Sequence, residues 1–198
     1  MKFLLVIMSL MVMLGGCSQG GGEAQPTSTP LPGTVLDPPR DVADFTLTAH
    51  TGEPMKLSDL RGKSVLIFFG YTHCPDVCPL TLAEFKKVKT ELGSSAGQVA
   101  FVFISVDGER DTPERLTQYV TAFDPDFIGL TGDDSTLRTI SRDFGVFFQR
   151  QNSNDTNYLV DHTASSFVVD PDGRLHIVYP FDTDPAIIAQ GIRKLLEK

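Results

Sequence analysis

The sequence has no tryptophan and only three cysteines among its 198 residues. It is therefore not a disulfide-dense scaffold, and no indole is available to build a site. Positive charge is also scarce: 17 lysines and arginines stand against 25 acidic residues, a formal net charge of −8, with an isoelectric point near 4.9. That balance argues against a nucleic-acid binder, which needs a basic face to neutralise phosphates. No apolar run reaches the length of about 20 residues that a bilayer-spanning helix requires. What is present, 41% hydrophobic and 21% charged residues, suits one globular domain and excludes a disordered or collagen-like chain. No internal repeat is visible, and the odd cysteine count leaves one thiol to account for.

Lys2 is the only charge before Glu23, and the stretch from Phe3 to Leu14 is apolar apart from Ser9. A positive start followed by a short apolar segment is the pattern of a signal peptide. The segment ends in Leu14-Gly15-Gly16-Cys17, which resembles the lipobox of bacterial lipoprotein signal peptides. The resemblance implies that residues 1–16 are removed, that Cys17 is acylated, and that the protein is held at the cell membrane on its extracytoplasmic side. Two acyl chains anchor stably where one binds only marginally. Residues 17–40, rich in Gly, Ser, Thr and Pro, read as a flexible tether with an r.m.s. span of about 25 Å. The folded domain is expected over residues 41–198.

Within that domain the hydrophobic pattern is α/β. Runs at 45–47, 65–69, 99–106, 128–130, 165–169 and 175–179 read as strands, and 80–92, 113–123, 135–144 and 185–196 as helices. Thr112-Pro113 and Asp184-Pro185 each place a capping residue before a proline at the first helical position. Pro171-Asp172-Gly173 predicts a turn between the last two strands, joined as an antiparallel hairpin. The nearly continuous apolar strand VLIFFG predicts a central strand covered by helices on both faces of the sheet.

That central strand runs into Gly70-Tyr71-Thr72-His73-Cys74-Pro75-Asp76-Val77-Cys78-Pro79 and then a helix. The carboxyl end of a central strand is where α/β folds place reactive groups, and a helix N-terminus favours thiolate. Two cysteines three residues apart can close as a disulfide, or chelate Cu(I) or a borderline ion such as Zn(II). A purely structural disulfide is the weakest of these readings, because so small a loop restricts the unfolded chain little.

A histidine would complete a metal site. His50 reads as a loop residue, His176 as a sheet-face side chain, and His73 as too close to Cys74 in the chain to share its ion easily. His162, in Asp161-His162-Thr163 just ahead of a strand, reads either as a ligand oriented by Asp161 or as a histidine simply hydrogen-bonded by it.

Taken together, FFGYTHCPDVCP at 68–79, SVDGERDTP at 105–113 and DHTASSFVVDPDG at 161–173 resemble the Sco/SenC family of copper-binding, thioredoxin-like assembly proteins. Gly108 and Phe167 depart from the family pattern, where proline and often tyrosine stand. The resemblance implies a thioredoxin-like fold with a central mixed sheet, and one copper ion, Cu(I) or Cu(II), held by Cys74, Cys78 and His162. It implies delivery of copper to the binuclear copper site of cytochrome c oxidase subunit II, with a periplasmic copper carrier or thiol reductant as a further partner. The alternative is a thiol-disulfide oxidoreductase that keeps that site's cysteines reduced, with Cys74 attacking and Cys78 resolving. A glutathione-peroxidase-like reading is weakened because no tryptophan exists to complete a Cys-Gln-Trp site. The proline of a peroxiredoxin PxxxTxxC pattern is missing, since Phe68 stands four residues before Thr72.

Overall fold

The structure is a computed structural model that describes residues 33–151 and 157–197. The expected signal peptide, the acylated Cys17 and the tether up to residue 32 lie outside the described residues. In chain order the elements are β1 (Thr34–Asp41), β2 (Thr46–Ala49), β3 (Pro54–Lys56), β4 (Ser64–Gly70), α1 (Val77–Leu92) and β5 (Val99–Ser105). There follow α2 (Pro113–Thr121), β6 (Ile128–Thr131), α3 (Asp134–Phe144), β7 (Phe148–Arg150), β8 (Val160–His162), β9 (Ser166–Val169), β10 (Arg174–Tyr179) and α4 (Pro185–Leu196).

Eight strands form one mixed sheet in the order β1-β10-β9-β4-β5-β6-β2-β3. β4, β5 and β6 are parallel, and the flanking pairs are antiparallel. Every residue of β4 and β5 is buried, as a central strand covered on both faces requires. Alternate side chains of β4 point to opposite faces. Phe68 meets Phe103, which in turn meets Tyr119 of α2. On the opposite face Phe69 meets Phe144 of α3 and Phe167 of β9. The α/β class and the mixed, helix-covered, thioredoxin-like sheet are thus as the sequence suggests.

The predicted caps are in place. Thr112 Oγ1 accepts from the Arg115 N–H and Asp184 Oδ1 from the Ala186 N–H. The turn between β9 and β10 closes with Gly173 at φ 79°, a backbone conformation that glycine adopts freely. The hairpin register runs from Leu175 opposite Val169 to Tyr179 opposite Ser166.

One boundary differs. The tether expected to run to residue 40 stops before Thr34, because Thr34–Asp41 pairs with β10 as an edge strand. Pro38 and Pro39, which read as linker, fall on this edge strand where the register breaks between Val35 and Arg40, so no ladder bond needs their missing N–H.

Candidate metal centre

Gly70 ends β4, and the chain turns through residues 71–76 into α1, so Pro79 falls in the first helical turn, where its missing N–H breaks no bond. A Cβ on Gly70 would lie 2.8 Å from Cys78 Sγ and within 2.9 Å of the Phe68 and Phe103 rings. Only a hydrogen fits, so glycine at this position lets the buried Cys78 sulfur sit against the strand end. Asp111, fully buried in the segment after β5, holds the turn from the side. Its carboxylate accepts the Thr72 N–H at 2.9 Å, the Thr72 hydroxyl at 2.7 Å and the Ser105 hydroxyl at 2.7 Å.

The third group arrives from 84 residues away: His162 Nε2 lies 3.4 Å from Cys78 Sγ. His162 Nδ1 sits 3.1 Å from the Thr163 carbonyl. A carbonyl only accepts, so Nδ1 carries a hydrogen and Nε2 is the nitrogen turned toward the sulfurs. Phe68 and Tyr71 wall the imidazole edge-on, with ring centroids at 5.7 and 5.9 Å. Cys74 Sγ, Cys78 Sγ and His162 Nε2 or Nδ1 lie within 4.8 Å of one another, the one such cluster among the described residues. Two soft sulfurs and a free imidazole nitrogen form a donor set for a soft or borderline ion.

Both cysteines are free thiols, and they differ electrostatically. The Cys74 thiol is lowered to about 3, first by the hydrogen bond from the Cys78 side chain, then by His162 and the backbone N–H groups of Asp76 and Cys78, against the cost of burial. Cys78 is pushed strongly up, because it donates to Cys74, is buried, and faces the Cys74 charge. The resting pair is a thiolate beside a thiol that shares its hydrogen with it.

The other candidates sit elsewhere. His73 Nδ1 faces the Thr72 hydroxyl at 3.2 Å, His50 Nδ1 accepts the Gly129 N–H, and His176 lies beside Asp170. Asp161, expected to orient His162, does not: it is exposed, and its carboxylate accepts from Gln151 Nε2 at 2.5 Å. Adjacent residues of a strand point to opposite faces, so the chain neighbour of His162 turns away and a backbone carbonyl takes the orienting role. Sequence reasoning also missed the two buried acids Asp107 and Asp111. Their signal was the stretch SVDGERDTP, which carried the resemblance without any role being given to its acids.

The SCO1/SenC family profile matches residues 34–197 of the chain. A SCO2-like protein of Rickettsia felis is 34% identical over 152 residues, covering 76% of this chain and 74% of its own. The copper-bound structure of ScoI from Bradyrhizobium japonicum superposes with a TM-score of 0.72 at 38% identity, covering 78% of this chain and 99% of that one. Apo Sco1 from Thermus thermophilus gives a TM-score of 0.74 at 42% identity, with 83% and 96% covered.

Proposed function

Since the chain belongs to the SCO1/SenC family, copper-binding proteins of cytochrome c oxidase assembly, we propose that it takes up one copper ion at Cys74, Cys78 and His162. We propose further that it passes the ion to the binuclear copper site of cytochrome c oxidase subunit II, working from an extracytoplasmic membrane tether at acylated Cys17. The observation that carries the reading is the convergence of two sulfurs and one imidazole nitrogen from segments far apart in the chain. Cys74 meets the cargo already as thiolate. Cys78 releases its proton to solvent on loading, so uptake is favoured as pH rises. His162 adds Nε2 without rearrangement, because the Thr163 carbonyl holds its Nδ1–H. Transfer is ligand exchange, with the partner's donors displacing the sulfurs one at a time from the half-buried Cys74 side.

A second reading has its own observation: the half-buried thiolate of Cys74 beside the buried thiol of Cys78 is an attacking and resolving pair. Cys74 would attack a partner disulfide and form a mixed disulfide. Cys78 would then attack Cys74 Sγ, giving the Cys74–Cys78 disulfide and the partner's two thiols, the electron pair passing to the partner.

Titration of the reduced full-length chain with Cu(I) and Cu(II) separates the two. One equivalent binds, Cys74→Ser and Cys78→Ser abolish tight Cu(I) binding, and His162→Ala weakens Cu(II) by at least about tenfold. Wild-type affinity in His162→Ala would remove the third donor. A protein that binds no copper yet turns over a disulfide substrate would replace the first reading with the second.

A further inference from the structure

His162 is the last residue of a two-stranded ribbon, β7 with β8, that hydrogen-bonds to no strand of the main sheet. Phe148 and Val160 bury one side of it in the core, and a set of polar contacts converges on the residue two positions ahead of β8. The hydroxyl of buried Tyr158 donates to the carboxylate of Asp107 at 2.6 Å. Arg110 Nε donates to the same carboxylate at 2.5 Å, and an Arg110 terminal amino group donates to the Tyr158 carbonyl at 2.9 Å. The Arg110 guanidinium lies 3.6 Å from the Tyr158 ring centroid, with Arg150 of β7 at 4.8 Å from that centroid. Arg150 in turn reaches Glu109 at 2.7 Å and Asp107 at 3.7 Å.

The opposite end of the same short segment braces the thiols, since Asp111 holds Thr72. One stretch, residues 105–112, thus fixes both halves of the site through separate contacts: Asp111 toward the cysteine turn and Asp107 toward the histidine ribbon. Arg110 also lies 5.8 Å from the ring centroid of Tyr71, whose edge walls His162. None of Tyr158, Arg110 or Arg150 is a ligand, so their convergence calls for another role.

We propose that Tyr158, Arg110 and Arg150, acting through Asp107, form a latch that holds the ribbon where His162 engages the metal, and thereby sets the preference of the site between Cu(II) and Cu(I). The inference rests on Cys74, Cys78 and His162 being copper ligands. A pair of thiolates alone suits soft Cu(I), whereas Cu(II) favours nitrogen and oxygen donors in addition. Holding the imidazole in place therefore favours Cu(II) selectively, and loosening it leaves a Cu(I) site. Tyr158, Arg110 and Arg150 are positioning residues, since they act through His162 and not on the metal.

The test uses substitutions that keep the charge, so that a change in affinity reports position and not field. Tyr158→Phe removes only the hydroxyl, and Arg150→Lys removes only the planar fork. In the full-length reduced protein, Tyr158→Phe is expected to weaken Cu(II) about tenfold, the range seen when groups that orient a ligand are lost, while Cu(I) affinity stays within about twofold. The imidazole nitrogen hyperfine coupling of the Cu(II) form should fall in parallel. Adding Tyr158→Phe to His162→Ala should cost nothing further, because the latch has lost the group it acts through. Equal weakening of both oxidation states, unchanged Cu(II) affinity, or full additivity with His162→Ala overturns the latch. Where Tyr158→Phe does not fold, Arg150→Lys carries the same comparison. A His162→Ala protein with wild-type Cu(II) affinity sinks the underlying ligand assignment instead, and is distinguished from failure of the latch because it involves no latch residue.

Discussion

Cys74 lies half-buried in the turn ahead of α1, while Cys78, in the first helical turn, has no exposed surface. The inequality of two chemically identical side chains has a measurable consequence. In the reduced, metal-free protein, iodoacetamide should modify Cys74 at about pH 6 nearly as fast as at about pH 8, where an ordinary thiol would slow about a hundredfold. Cys78 should react far more slowly at both, which peptide mapping after quenching reads directly. A Cys74 rate that falls with pH like that of a free cysteine would contradict the thiolate. The spacing of the pair and the candidacy of His162 were readable in the sequence. The direction of the asymmetry, Cys74 attacking and Cys78 resolving, belonged to the alternative reading; its physical basis was not readable, because it depends on burial, on the Cys78 hydrogen bond and on a histidine 84 residues further along the chain. Nor was the turning-away of Asp161, which depends on which face of β8 it occupies.

At the scale of elements, the segment between β5 and α2 does more than connect them. Asp111 supplies three acceptor contacts in a dry interior. Asp111→Ala would leave the Thr72 N–H without its acceptor and take the carboxylate from the Thr72 and Ser105 hydroxyls, which keep only their contacts with His73, Arg115 and the Asp107 N–H, at about 1–3 kcal/mol for each group left unsatisfied after relaxation. A loss of at least about 2 kcal/mol in urea unfolding, with an unchanged m-value, is expected. A loss under about 0.5 kcal/mol would mean that the carboxylate does not brace the turn. The long elements were legible because their periodicity extends over several turns or a whole buried strand: β4, β5 and all four helices lie close to their predicted ranges. The short ones were not. β7 and β8 have three residues each, too few to show an alternation, and β1 carries two prolines within a composition that reads as linker.

Across the whole molecule all four tyrosines are held above the ordinary phenol range, burial being the first cause at each. Tyr158 and Tyr179 are pushed up to about 12. Phenols in the unfolded chain ionise near about 10. Below that value both states keep their protons and the tyrosine contribution to stability is complete; as pH rises from about 10 toward about 12, the unfolded chain sheds protons that the fold retains, and stability falls. The urea midpoint should therefore drop between about pH 9.5 and about pH 11, with little tyrosinate absorbance from protein that is still folded. Early tyrosinate absorbance in folded protein would contradict the burial. By itself, the sequence determined the α/β class, the central buried strand, the helix caps and the thiol pair at a strand-to-helix junction, because these are local patterns of apolar period, cap chemistry and spacing. Only the tertiary structure decided that His162 meets Cys78, that a backbone carbonyl and not Asp161 orients it, and that Asp107 and Asp111 brace the two halves of the site from one segment. Those relations join residues far apart in the chain, and a one-dimensional pattern does not specify which face of which element will meet another.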